Sequence, residues 1–313
     1  MQDSMVHNSS GWAASAARPG IRPRPRSRLR RKAFPYLLVA PAMIFLLGIT
    51  LYPGVYAMYQ SFFFVRFNDW SFAGLGNYTK LLSDNEFWQA LWNTFVMGAI
   101  ALSLECVIAI TIAAFAYRDP WVRSWRIMFL MPMLFMPSAV AFIWKLAFND
   151  GRIVSDLLMR LGLIDGNLDF LGSIWLARLT LIVADVWQWT PFLFIIFVAA
   201  LQGQDAEMEE AARLDGAKWR QIFWNISLPL MMPIVAVALI LRGIDIITMF
   251  ASVFIITGGT PGGATETISY FIYRIGFKTF NFGYASAISV VMLAITVTVA
   301  QLFVKRFFRS GRE

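Results

Sequence analysis

Apolar residues in this chain gather into long unbroken runs. They lie at 34–64, 92–117, 125–148, 175–201, 229–256 and 284–308, and polar residues are mostly confined to the intervals between them. A helix needs roughly 20 residues to cross a hydrocarbon core about 30 Å thick, so each run is long enough to span a membrane. Continuity favours helix over membrane strand, in which apolar positions alternate. The pattern predicts an all-α, polytopic membrane protein with six transmembrane helices, the first run being long enough to include an interfacial turn. Pro41, Pro53, Pro132, Pro137 and Pro191 fall inside the runs. Embedded helices tolerate such kinks where neighbours satisfy the freed carbonyls. One interval is unusually polar. Between Gln202 and Pro229 the chain carries eight ionisable groups.

Composition reinforces the membrane reading. The chain is 58% hydrophobic and 15% charged, with 28 phenylalanines and a mean hydropathy of +0.60. So much apolar surface cannot be enclosed in one water-soluble globule of 313 residues. A single cysteine, Cys106, excludes an intrachain disulfide and a cysteine-built metal site. The one histidine, His7, lies in the polar tail, so no catalytic or metal-binding residue is expected. Alternate intervals divide the basic residues unequally, with eighteen lysines and arginines on one side and six on the other. The positive-inside rule then places both termini and the 202–228 loop in the cytoplasm. The tail RPRPRSRLRRK suits a proline-spaced anchor against anionic lipid, with no nucleic acid as partner. The apolar run after it far exceeds the h-region of a signal peptide. Three regions result: a basic disordered tail at 1–33, a six-span transmembrane domain at 34–308 that includes the 202–228 loop, and a short end at 309–313.

Within the polar loop, 206–214 has good helix propensity and Asp205 is a candidate N-cap. Gly216 permits a bend, and a second short helix over 218–226 leads to Pro229. Glu207 and Glu210 share a face, while Ala211, Ala212 and Leu214 supply small or apolar surface. Amphipathicity alone leaves two readings open, a docked surface helix or a solvated loop. The spacing Glu210-Ala211-Ala212, three residues, Gly216, nine residues, Ile226-Ser227-Leu228-Pro229 resembles the EAA loop of binding-protein-dependent ABC importer permeases. That resemblance implies a coupling helix, with Glu210, Ala211, Ala212, Leu214, Asp215 and Gly216 contacting a separate cytoplasmic ATPase dimer. Gln204-Asp205 departs from the family's frequent Ile-Pro pair and leaves the helix start open. The glycine-rich stretch 258–265 has alanine where a phosphate-binding loop needs lysine. ATP and Mg are therefore expected on the partner, and no cofactor on this chain.

Ionisable groups at membrane depth cost roughly 2.5–3.5 kcal/mol each on insertion scales and tend to face a cavity or a partner. Glu105, Asp185, Arg242 and Asp245 are the candidates, with Arg242 and Asp245 spaced to pair on one helix. Lys145 and Arg178 are expected to snorkel to the outer interface. The segment DVWQWTPFLF sets Trp187, Gln188, Trp189 and Phe192 beside Pro191. Packing or an aromatic belt would explain it, as would a sugar site built from stacking faces and an amide. This span is also similar to its counterpart in the larger maltose permease. Carried over, the sugar-contacting positions fall at Trp187, Gln188, Trp189, Phe192, Arg242, Asp245, Ile246 and Met249. ITGGTPGGATETISYFIYRIGF and NFGYASAIS likewise resemble carbohydrate-type permeases, which implies an outer re-entrant element with a short helix at 265–277. The resemblance implies the type I ABC importer permease fold in a bacterial inner membrane. It also implies a second permease subunit and an extracytoplasmic sugar-binding protein as partners. The rival is a self-sufficient ion-coupled transporter or channel using Glu105, Asp185 and Asp245.

Overall fold

A computed structural model of the chain describes residues 28–67, 69–118, 122–149, 153–166 and 168–309. Most of the basic tail, 1–27, and the terminal residues 310–313 lie outside the described residues. The chain divides into two units, Met1–Gly54 and Val55–Glu313. The first holds most of α1 (Arg28–Gln60), whose backbone is helical from Arg28, inside the interval predicted as tail. Apolar side chains such as Tyr36, Ile44 and Phe45 are exposed along it, as befits a helix bathed in lipid.

The second unit opens with an antiparallel hairpin, β1 (Phe63–Arg66) and β2 (Asp69–Phe72), with Phe63 opposite Phe72. The first run thus leaves the helix at Gln60 and passes into the hairpin. Then come α2 (Gly76–Ser83), α3 (Asn85–Ala116), α4 (Val122–Leu134), α5 (Pro137–Phe148), α6 (Ile153–Arg160) and α7 (Ile174–Gln202). The polar loop forms α8 (Ala206–Leu214) and α9 (Trp219–Ile222), which continues through a π-turn at Phe223–Ser227 into α10 (Leu228–Ile247). A second π-turn (Val253–Thr257), α11 (Ile268–Tyr273), a third π-turn (Arg274–Lys278) and α12 (Phe282–Arg309) complete the order. Among the described residues five helices are long and apolar enough to cross a membrane, and six spans result if the bent pair α4–α5 counts as one.

That bend corrects the continuous third span expected over 125–148. The two halves meet at 97°. Pro137 supplies no N–H and pushes Met136 into extended backbone (φ −59°, ψ 138°), so the helix must restart there. The fifth run also breaks: α10 ends at Ile247, and the remainder of 229–256 is a separate turn.

At the centre, α3 packs along α7, and α10 closes against both. Ala109, Ala113, Ala114 and Ala116 of α3 meet Leu193, Phe194, Phe197 and Val198 of α7, together with Val235 and Ala238 of α10. Small residues on one helix let the backbones approach, which is how helices bind in lipid without a hydrophobic force between them. Closer to the other end Gly98 of α3 abuts α10. A Cβ there would lie 2.5 Å from Ile246 Cγ2.

Candidate functional site: a capped polar helix and a buried ion cluster

The polar loop folds as a helix with both ends closed. Asp205 accepts from the Glu207 backbone N–H at 3.1 Å and fixes the start of α8. Its neighbour Gln204 donates to the Ser227 carbonyl at 2.8 Å. The residues that depart from the family's Ile-Pro thus act as cap and tether. At the far end Gly216 adopts φ +82°, and Gly216 N–H and Ala217 N–H close onto the Arg213 and Ala212 carbonyls at 3.0 and 2.9 Å. This pairing satisfies the last carbonyls and requires a left-handed residue, which glycine accepts without a Cβ penalty. Beyond the bend, Trp219 stacks on Phe115 of α3 and on Phe223, with centroids 5.2 and 5.8 Å away.

The two faces of α8 differ. Glu207, Glu210, Ala211, Leu214, Asp215 and Gly216 are exposed, and Ala212 is half-buried. Leu214 is 89% exposed. On the inner face Glu209 accepts from Tyr117 Oη at 3.0 Å and Ser227 Oγ at 3.2 Å, and it pairs with Arg118 and with Arg213. Burial raises the Tyr117 phenol above its ordinary value, which keeps it a proton donor. Sequence reasoning passed over Glu209. Its spacing of four from Arg213 was the available signal, but the link to Tyr117 and Arg118 requires the tertiary fold.

At membrane depth the four candidate charges converge on one guanidinium. Arg242 of α10 donates to both oxygens of Glu105 on α3 at 2.9 Å, to Asp185 of α7 at 2.5 Å and to Asp245 at 2.6 Å. Its face lies 5.0 Å from the Trp189 ring centroid. The side chains of Arg242 and Glu105 are 2% and 0% exposed, whereas that of Asp245 is 47% exposed. The expected 242–245 pair exists as part of this larger cluster, which joins α3, α7 and α10.

The remaining pathway candidates separate by burial. Trp187 is exposed and set edge-on to Trp144, Trp189 and Phe192 are half-buried and edge-on to one another, and Met249 is half-buried. Gln188 is buried and donates to the Phe135 carbonyl at 3.2 Å, beside the α4–α5 bend. Ile246 is buried against Gly98. Gln188, Arg242 and Ile246 are therefore buried side chains, whereas Trp187 and Asp245 are exposed. At the opposite end from α8, Arg178, expected to snorkel to the outer interface, is half-buried. It donates to the Ala264 carbonyl and to Asn93 Oδ1, both at 2.8 Å, while Asn93 holds the Gly263 and Glu266 carbonyls. Lys145 is exposed. The short helix expected at 265–277 is α11 with its π-turn, braced by Arg274 between Glu266 and Glu86.

A bundle of membrane-length helices with charges buried at its centre, and a capped polar helix at one end, defines a polytopic membrane protein. Residues 106–311 match the family described as binding-protein-dependent transport system inner membrane component. The chain is 33% identical over 300 residues to the probable ABC transporter permease protein y4oQ of Sinorhizobium fredii, covering 93% of this chain and 94% of that protein. It is 31% identical over 291 residues to the trehalose/maltose transport system permease protein MalF of Thermococcus litoralis, covering 90% and 97%. A bacterial alginate ABC transporter, solved with an alginate pentasaccharide-bound periplasmic protein, shares the fold. Its TM-score is 0.78 at 20% identity, over 90% of this chain and 98% of that one. The chain belongs to the binding-protein-dependent inner-membrane component family and is a permease subunit of an ABC importer, with the type I fold.

Proposed function

We propose that this permease forms half of the pathway for a neutral, hydroxyl-rich solute, a sugar, across a bacterial inner membrane. Its partners on this reading are a second permease, two copies of a cytoplasmic ATPase that use ATP and Mg, and an extracytoplasmic sugar-binding protein. The single observation that carries the coupling role is Leu214, 89% exposed on a polar helix whose two ends are fully capped. A large apolar side chain held out by a rigid helix fits an apolar slot on another protein, and Glu210 beside it suits a basic partner. The excess of Lys and Arg on the side of α8 supports a cytoplasmic position for this helix and for both termini.

The sugar assignment draws on the trehalose/maltose name of the Thermococcus relative and on the ion cluster. Glu105 and Asp185 enclose the Arg242 charge, so the group left facing outward is the Asp245 carboxylate. A half-exposed carboxylate at membrane depth needs a water-filled cavity or a polar partner. Together with the half-buried Trp189 ring, which packs on Arg242, it offers a hydroxyl acceptor and an aromatic surface, and it repels anionic solutes. Asp245→Ala should lower uptake about tenfold, the order expected for one charge-assisted hydrogen bond, and Trp189→Ala roughly three- to tenfold for a lost aromatic contact, both with assembly intact.

Co-purification with the ATPase tests the coupling reading. Glu210→Arg and Leu214→Asp should abolish association while leaving the permease folded. Wild-type retention of the ATPase by either variant would refute the docking role of α8.

A further inference from the structure

We infer that Glu209 is the positioning residue through which displacement of α8 is delivered to α3 and α10. This inference rests on the reading of α8 as the ATPase contact. Glu209 and Glu210 are consecutive, so they point about 100° apart around the helix. Glu210 faces outward, and the Glu209 side chain is 14% exposed on the inner face. Both Glu209 oxygens are engaged. Oε1 accepts from Tyr117 Oη at 3.0 Å and Ser227 Oγ at 3.2 Å, and Oε2 pairs with Arg118 and, at 3.7 Å, with Arg213.

Those partners belong to different spans. Tyr117 and Arg118 directly follow α3, and Ser227 directly precedes α10. One carboxylate therefore ties the docking helix to the end of α3, 92 residues back along the chain at Tyr117, and to the entry of α10, 18 residues on at Ser227. Two amides secure the same points from the end of α7: Gln202 donates to the Tyr117 carbonyl at 3.2 Å and Gln204 to the Ser227 carbonyl at 2.8 Å. Deeper in the bundle the Arg242 cluster joins α3, α7 and α10 again. A push on α8 thus meets a block of three spans clasped at two levels, and charge-assisted bonds at Glu209 resist its sliding over that block. Without Glu209 the peptide links through 203–205 and 215–218 remain, each containing a glycine, but they run to α7 and α9 and neither reaches α3.

The experiment uses the assembled importer in nanodiscs, with Cys106→Ser and spin labels at two exposed positions, Met208 on α8 and Val107 on α3. ATP with orthovanadate serves as the probe, so no solute need be identified. In the parent complex the label separation should stay single and unchanged on vanadate trapping, because α8 and α3 move as one body. Glu209→Ala should keep the ATPase bound within twofold of the parent yet shift or broaden the trapped distance. Glu209→Gln, which retains the acceptor but not the charge, should lie between. Arg118→Gln should reproduce the Glu209→Gln behaviour, and the double variant should be no worse than either alone, since both remove the same clasp. Unchanged distances in Glu209→Ala with the ATPase bound would overturn the inference. So would loss of the ATPase in Glu209→Ala and Glu209→Gln alike, which would place Glu209 in docking or folding instead. Retention of the ATPase by Leu214→Asp, by contrast, would sink the docking reading itself, whatever Glu209 does.

Discussion

Arg242→Met is the most informative single perturbation of the membrane core. It keeps length and apolar bulk but strands Glu105 and Asp185, whose side chains are 0% and 6% exposed. Two uncompensated charges would cost roughly 5–7 kcal/mol on insertion scales, and deleting the guanidinium removes its own roughly 2.5–3.5 kcal/mol. The net loss is about 2–4 kcal/mol, close to the roughly 3–5 kcal/mol typical when one member of a buried ion pair is removed. Asp245 contributes little to this sum because water or a polar partner reaches it. Equilibrium unfolding in mixed micelles, followed by the change in helicity, measures the difference directly. The triple variant Arg242→Met, Glu105→Gln, Asp185→Asn should recover at least half of the loss, since no charge is then stranded. A loss under about 1 kcal/mol in the single variant would refute the cluster's structural role, as would a triple variant no better than the single.

Two further outcomes follow from close approaches and backbone geometry. Gly98→Ala places a Cβ 2.5 Å from Ile246 Cγ2 and should cost about 1–3 kcal/mol in the same unfolding assay by forcing α3 and α10 apart. Gly216→Ala meets no neighbour within 4 Å, so its cost of about 1–2 kcal/mol comes only from holding alanine at φ +82°. Hydrogen exchange should then quicken at the C-terminal turn of α8 and not elsewhere.

The helices that cross the membrane were legible because continuous apolar runs leave backbone groups no alternative but intrahelical pairing in lipid. The breaks were less so. Pro137 bends α4–α5 by 97°, whereas Pro191 sits inside an unbroken α7. Sequence alone does not distinguish a proline whose freed carbonyl is satisfied by neighbours from one that restarts a helix. The polar loop was readable as a capped helix and a bend, with Asp205 and Gly216 placed by propensity, whereas the full exposure of Leu214 was not. What escaped was the carboxylate one residue from the motif. Glu209 draws its importance from Tyr117, Arg118 and Ser227, and only helix packing brings those residues together. The membrane charges were visible one by one, and the 242–245 pair by its spacing. Their convergence on Arg242 reflects the crossing of α3, α7 and α10, which no local pattern encodes.

Reconstitution into liposomes tests the central claim most directly. The permease is inserted alone, or with its second permease and ATPase, and uptake of labelled trehalose and other neutral sugars is followed with the binding protein outside. The account predicts uptake only in the complete assembly, only with ATP on the α8 side, and no effect of an imposed proton or sodium gradient. Solute movement by this chain alone, driven by such a gradient and indifferent to ATP, would contradict it.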